Sequence, residues 1–160
     1  MREKIKNIEE FLPIVGELKK RGKKIVTTNG SYDILHAGHI GLLEKAKSQG
    51  DVLIVLLNSD ESIRRNKGDK RPIIPENYRA IMLSALACVD YVIIFPQDKP
   101  LEYLEKIKAD LHIKGGSWDP ERLKEEIEFV KKWGGKYKTF DLEDGLSTTD
   151  IINKIIDSYK

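Results

Sequence analysis

The run Asp51-Val52-Leu53-Ile54-Val55-Leu56-Leu57 is almost continuous in apolar side chains. A strand with one wet face alternates apolar and polar residues. A run without alternation therefore reads as a strand buried on both faces of a parallel sheet. Parallel strands need crossover connections, most often helices, and the remaining pattern supplies them. Strands are expected at Lys24 to Thr28, Tyr91 to Phe95 (closed by Pro96), Leu111 to Ile113 and Lys136 to Phe140. Between and after them, helical spacing spans Gly38 to Ser48, Tyr78 to Leu86, Leu101 to Ile107, Pro120 to Trp133, and the stretch from Ser147 carrying Ile151, Ile152, Ile155 and Ile156. Upstream, Ile5, Ile8, Phe11, Leu12, Val15 and Leu18 recur at helical spacing and mark residues 1–23 as an N-terminal helical extension ending at Gly22. The expected fold class is α/β, a parallel sheet of about five strands with helices on both faces, in one domain over residues 1–160.

Bulk properties narrow the function. The chain of 160 residues is 40% hydrophobic and 34% charged, as a globular domain with a full core should be. A net charge of +2 argues against a broad nucleic-acid footprint. No apolar run reaches membrane-spanning length, and Met1-Arg2-Glu3-Lys4-Ile5-Lys6 lacks the apolar core of a signal peptide, so a cytoplasmic location is expected. The single cysteine, Cys88, excludes an internal disulfide and reads as a small buried residue of a helical segment.

In a parallel sheet, ligands bind beyond the carboxyl ends of the strands, where strand order reverses. The residues just downstream of each expected strand are therefore the candidates. The first strand is followed by Asn29-Gly30-Ser31-Tyr32-Asp33-Ile34-Leu35-His36-Ala37-Gly38-His39. This places His36 and His39 where a strand hands over to a helix, whose free N–H groups and dipole favour phosphate. Two imidazoles there can neutralise charge that grows on a transferring phosphoryl group. Asn58 and Asp60 follow the second strand, and Lys114 and Gly115 the short fourth one. Ser147, Thr148 and Thr149 open the last helix, where their hydroxyls can cap the helix, hold phosphate oxygens, or do both. Arg64-Arg65-Asn66-Lys67-Gly68-Asp69-Lys70-Arg71 has no apolar face. It reads as a solvated loop or as a mobile cationic loop that closes over a polyphosphate, with Lys67 beside flexible Gly68 its first candidate. Arg79 lies on the following helix, as a surface residue or a substrate contact. No nucleophile stands beside a base, no paired carboxylates suit hydrolysis, and no protein metal ligand set is assigned. Cations, amides and hydroxyls are equipment for phosphoryl or nucleotidyl transfer, with a magnesium ion (Mg2+) bridging a triphosphate.

Thr28 to His39 resembles the first motif, with its H-x-G-H core, of the cytidylyltransferase-like nucleotidyltransferases, and Leu146-Ser147-Thr148-Thr149 resembles their second motif. Within that superfamily the chain is most similar to the adenylyltransferase domain of heptose-phosphate enzymes. Asn58-Ser59-Asp60, Lys67 to Pro72, Ala87 to Asp90, Lys114-Gly115-Gly116 and Glu143 to Thr149 carry that similarity. The resemblance implies a Rossmann-like sheet and transfer of a nucleotide, most simply from ATP, to D-glycero-manno-heptose 1-phosphate with release of pyrophosphate. It implies that His36 and His39 hold the triphosphate, with Lys67, Ser147 and Thr148 on its phosphates. Nucleotide contacts would come from Asn29, Gly30, Ser31, Tyr32, Gly38, Asn58, Asp60, Lys114, Gly115 and Thr149. Arg65, Arg79 and Ser117 would face the sugar phosphate. Ser117 stands where many relatives carry Asp, a departure that bears on base or sugar recognition. Relatives are often dimers, and the fused sugar kinase of some bacterial relatives is not in this sequence, so the phosphorylated sugar is expected from another enzyme. The alternatives are a glycerol-3-phosphate cytidylyltransferase or another sugar-phosphate, alcohol-phosphate or FMN nucleotidyltransferase, and more remotely a non-catalytic nucleotide-binding module or a tRNA-synthetase fragment.

Overall fold

The computed structural model describes residues 2–116, 120–141 and 147–159. Six strands form one sheet: β1 (Ile5–Lys6), β2 (Ile25–Gly30), β3 (Val52–Asn58), β4 (Tyr91–Phe95), β5 (Leu111–Gly115) and β6 (Lys136–Phe140). Among the described residues seven α-helices accompany them: α1 (Ile8–Lys20), α2 (Ala37–Lys47), α3 (Asp60–Lys67), α4 (Glu76–Ala85), α5 (Leu101–Ile107), α6 (Pro120–Lys131) and α7 (Thr148–Ser158). Every strand pair is parallel, in the order β1-β4-β3-β2-β5-β6. From β2 the chain steps outward through β3 to β4, then returns to lay β5 on the other flank of β2. Strand order thus reverses between β2 and β5, and a crevice opens beyond their carboxyl ends.

β3 carries the both-faces burial read from its sequence. Ile54 and Leu56 pack on one face with Phe11 and Val15 of α1 and Tyr103, Leu104 and Ile107 of α5. Leu53, Val55 and Leu57 pack on the other with Leu42, Leu43 and Ala46 of α2 and Ala80 and Leu83 of α4. Two cores back to back make the sheet the rigid layer from which the loops project.

The six parallel strands agree with the expected sheet of about five, the short β1 being the addition at its edge. Three other expectations are corrected. Ile5 and Lys6, read as the start of the first helix, instead pair with Val92 and Ile93 at the sheet edge. The helix begins only at Ile8, because Asn7 caps it. The Asn7 side chain accepts from the Glu10 amide at 2.8 Å, and the Glu10 carboxylate accepts from the Asn7 amide at 3.4 Å. Next, Arg64 to Lys67, read as loop, forms the last turns of α3, started by Ser59, whose hydroxyl accepts from the Ser62 amide at 3.1 Å. Burial of Ser62 and Ile63 supplies the inward face that the basic residues themselves lack. Finally, Cys88 lies half-buried in the turn after α4 rather than within a helix. No described helix is long and apolar enough to cross a membrane.

Candidate active site

β2 ends at Asn29-Gly30, and the chain reaches α2 through a tight connection with left-handed backbone at Tyr32 and Ile34 (φ 47° and 51°). Gly30 sits against the Tyr32 ring; a Cβ there would lie 3.1 Å from a ring carbon. His36 occupies the N-cap position of α2 but makes no side-chain capping bond. Its ring turns instead onto His39, one helical turn on, with centroids 3.8 Å apart and planes 27° from parallel. Tyr32 supports His39 from the other side at 5.2 Å. The Nδ1 atoms of both histidines are buried and have no hydrogen-bond partner among the described residues.

These rings border a cleft of about 490 Å³ at the carboxyl end of the sheet. Asn29, Gly30, Ser31 and Tyr32 form its floor with Gly115 of β5. Asn58, Asn66, Lys67 and Arg71 border it from β3, α3 and the following loop, and Ser147, Thr148 and Thr149 from the start of α7. Leu42 and Ile63 add an apolar surface.

Asp33 ties these segments together. Its buried carboxylate accepts from the Ile73 amide at 3.0 and 3.1 Å, the Ile74 amide at 2.9 Å and Arg71 Nη1 at 3.0 Å. Its carbonyl accepts from the Thr148 hydroxyl at 2.7 Å. Burial alone would raise the Asp33 pKa, but these donors outweigh it and hold the group below the usual carboxylate value. Arg71 is thereby turned toward the cleft. The Lys67 side chain makes no hydrogen bond or ion pair among the described residues, and burial, then the nearby Arg71, lowers its pKa. Burial also lowers His36, and it lowers His39 further, to about 4, with help from His36 and Lys67. Both imidazoles are therefore neutral at pH 7 before an anion arrives.

The structure gathers most of the expected site residues: Asn29, Gly30, Ser31, Tyr32, His36, His39, Asn58, Lys67, Gly115, Ser147, Thr148 and Thr149 all line the cleft. Ser147 also caps α7, accepting from the Asp150 amide at 3.1 Å. Others lie elsewhere. Gly38 is buried within the first turn of α2. Arg79, expected to face substrate, is 0% exposed and turned inward. It donates to the carbonyls of Ile74 (2.8 Å), Ser31 (2.5 Å) and Asn58 (3.0 Å), and to the Asp60 carboxylate (2.7 Å). Asp60 is occupied with this contact, so both residues brace the cleft from behind. Lys114 is buried in an ion pair with Glu126 at 2.7 Å. Arg65 points outward to Asp98 and Glu61. Ser117 lies outside the described residues. Sequence reasoning did not single out Asp33, Asn66 or Arg71 as site residues. Asp33 was visible as the acidic residue of the histidine motif, but its partners lie about forty positions away and no local pattern announces them.

Together the parallel sheet, the switch-point cleft and the histidine pair at a helix start define a nucleotidyltransferase domain. The cytidylyltransferase-like family model matches residues 27–154, and the chain belongs to that family. The protein named Bifunctional protein HldE of Geobacter metallireducens is 49% identical over 156 residues, covering 98% of this chain and 32% of that protein. The HldE protein of Shigella sonnei is 48% identical over 147 residues, covering 92% of this chain and 31% of its own length. The chain thus spans about a third of the length of the curated relatives it matches. Among solved structures, the lipopolysaccharide core biosynthesis protein of Thermoplasma volcanium superposes with a TM-score of 0.64 at 31% identity, covering 76% of this chain and 98% of that one. Pantoate-beta-alanine ligase of Francisella tularensis shares the fold with a TM-score of 0.67 at 22% identity, covering 96% of this chain and 77% of the ligase.

Two outcomes are expected. Arg79→Lys keeps the charge but loses the forked donors to three carbonyls, and should cost about 2–3 kcal/mol in urea unfolding, because buried acceptors are left unpaired. The depressed pKa values of His39 (about 4) and His112 (about 3, from burial first and then Lys114) make the unfolded chain bind more protons than the folded chain below the ordinary histidine pKa of 6.5. Stability should therefore fall as pH drops from 6.5 toward 4. Urea midpoints across that range should fall less steeply for His39→Gln than for the parent chain.

Proposed function

We propose that the cleft transfers a nucleotide, most simply the adenylyl group of ATP, to D-glycero-manno-heptose 1-phosphate. The observation that carries this reading is the stacked His36–His39 pair, facing Lys67, Arg71 and the hydroxyls of α7 across one cleft. The similarity to HldE proteins over 98% of the chain, and the motif likeness to the adenylyltransferase domain of heptose-phosphate enzymes, favour this acceptor over glycerol 3-phosphate.

A phosphate oxygen of the sugar phosphate attacks the α-phosphorus, the bond to the bridging oxygen breaks, and its electron pair leaves with pyrophosphate. Negative charge grows on the departing group. His36 and His39 each offer an imidazole to it, and Lys67 and Arg71, which line the same cleft, add positive charge. The Thr149 hydroxyl and the first amides of α7 cradle phosphate oxygens, while Ser147 and Thr148, whose hydroxyls donate to Asp150 and to the Asp33 carbonyl, hold the helix start in place. Catalysis here is positioning and charge stabilisation, with no covalent enzyme intermediate required.

Nucleotidyltransferases of this kind work with a divalent metal, and Mg2+ is the one proposed. Among the described residues no three His, Cys, Asp or Glu side chains are grouped to hold a metal, and the Asp33 carboxylate is already occupied by its three donor groups. The described residues do not form a metal cage. Magnesium would enter on the triphosphate's own oxygens and water.

Pyrophosphate release should require heptose 1-phosphate and one preferred nucleoside triphosphate when ATP, CTP, GTP and UTP are each paired with heptose 1-phosphate or glycerol 3-phosphate. His36→Ala should lower turnover by about a hundredfold or more. Release with glycerol 3-phosphate alone would keep the chemistry and overturn the acceptor. Nucleotide binding with no release from any pair would favour a binding module.

A further inference from the structure

We infer that His112, a buried residue behind the cleft, is a positioning residue that fixes the Asn29 side-chain amide so that its Nδ2 group donates into the nucleotide site. The inference rests on the proposed nucleotide-binding role of the cleft. His112 sits mid-strand on β5, and its ring is held from both sides by the neighbouring strand β2. Thr27 Oγ1 lies 2.9 Å from His112 Nδ1, and Asn29 Oδ1 lies 3.2 Å from His112 Nε2. His112 and Thr27 are fully buried, whereas Asn29 reaches the cleft wall.

Two proton arrangements fit such a chain, and chemistry separates them. With the proton on Nε2, the ring donates to Asn29 Oδ1 and accepts the Thr27 hydroxyl proton at Nδ1. Both ring nitrogens, the Thr27 hydroxyl and Asn29 Oδ1 are then paired. With the proton on Nδ1, the Thr27 hydroxyl must send its own proton elsewhere. The nearest acceptor is the Leu111 carbonyl at 3.5 Å, too long for a good bond. That arrangement would also turn Asn29 Oδ1 toward the cleft, placing an acceptor where phosphate oxygens are to sit. The Nε2–H form is therefore selected. It leaves Asn29 Nδ2 with no hydrogen bond among the described residues, and Nδ2 is not among the sealed-off unpaired atoms. An amide donor beside the H-x-G-H turn suits an acceptor atom of the nucleotide, a phosphate oxygen in the first instance.

Burial first keeps the ring neutral, and the charges around it add to this on balance. Lys114, two residues along β5, disfavours a second positive charge, and its bidentate partner Glu126 (2.7 and 2.8 Å) offsets only part of that. Glu126 also accepts from the Tyr137 hydroxyl at 2.7 Å, and the Tyr137 ring lies 5.3 Å from His112. A neutral ring keeps one donor and one acceptor, which is what the relay needs.

The test is nuclear magnetic resonance on the full chain, combined with kinetics. The expected results are an His112 ring protonated at Nε2 and bare at Nδ1 in the free protein, and a shift of the Asn29 Nδ2 proton signals on adding a non-hydrolysable ATP analogue. His112→Leu should raise the KM for ATP about tenfold with a smaller change in kcat. His112→Gln, which retains a donor, should recover much of that loss, and this rescue separates positioning from a general loss of folding. An Nδ1–H ring overturns the inference whatever the cleft binds. If the analogue shifts the His36 and His39 signals but not those of Asn29, the inference fails while the nucleotide site stands. If no signal in the cleft moves, the proposed function and the inference fall together.

Discussion

The carboxylate of Asp33 is the constraint on which the cleft depends. Three otherwise separate pieces of chain meet at this residue: the turn between β2 and α2, the loop through Arg71, Ile73 and Ile74, and the start of α7. None of these pieces has a sizeable core of its own. Charge-assisted bonds to backbone amides are among the stronger hydrogen bonds, and burial removes the water that would compete for them. Asp33 also offsets the crowding of Lys67 and Arg71, which raise each other's cost in an empty cleft. One acidic residue thus keeps a cationic pocket assembled before its anion arrives.

Behind this surface the strands carry polar residues that a both-faces-buried sheet would normally exclude. Thr27, Asn29 and His112 pair across β2 and β5. Lys114, Glu126 and Tyr137 pair between β5, α6 and β6. Arg79 links the ends of β2 and β3 to α4. Each cluster is largely buried and bonded, and each stands next to a cleft-lining residue: Asn29 itself, Gly115 beside Lys114, and Ser31 and Asn58 on Arg79. Buried polar networks specify a single arrangement when all members are satisfied, so rigidity is concentrated where ligand geometry matters.

Much of this was legible beforehand. The unalternating β3 run, the β-branched stretch before Asn29 and the helical periods between strands carried the architecture, because burial on two faces leaves a direct imprint on composition. The histidine motif and Ser147-Thr148-Thr149 marked the site, since both stand where strand-end loops must converge. Short-range features that compete with a longer period were misread. Ile5 matched the helical stripe, yet the capping pair Asn7 and Glu10 ends that stripe two residues later. Arg64 to Lys67 lacked an apolar face, although Ile63 just upstream supplied one. The inward turn of Arg79 and Lys114 was illegible for another reason. Whether a long cation points out to a ligand or in to a carbonyl depends on partners such as Asn58 and Glu126, and their proximity is a product of sheet order.

The most direct test of the account is amide hydrogen exchange and nucleotide-analogue affinity measured together on the parent chain and on Asp33→Asn. The substitution nearly preserves shape but removes the negative charge and sets an amide group against three donors. The account predicts faster exchange at Ile73 and Ile74 and affinity weakened at least tenfold, with the β2, β3 and β4 amides still protected. Unchanged exchange at Ile73 and Ile74 with parent-like affinity would contradict it, because the cleft would then be held together without the Asp33 carboxylate.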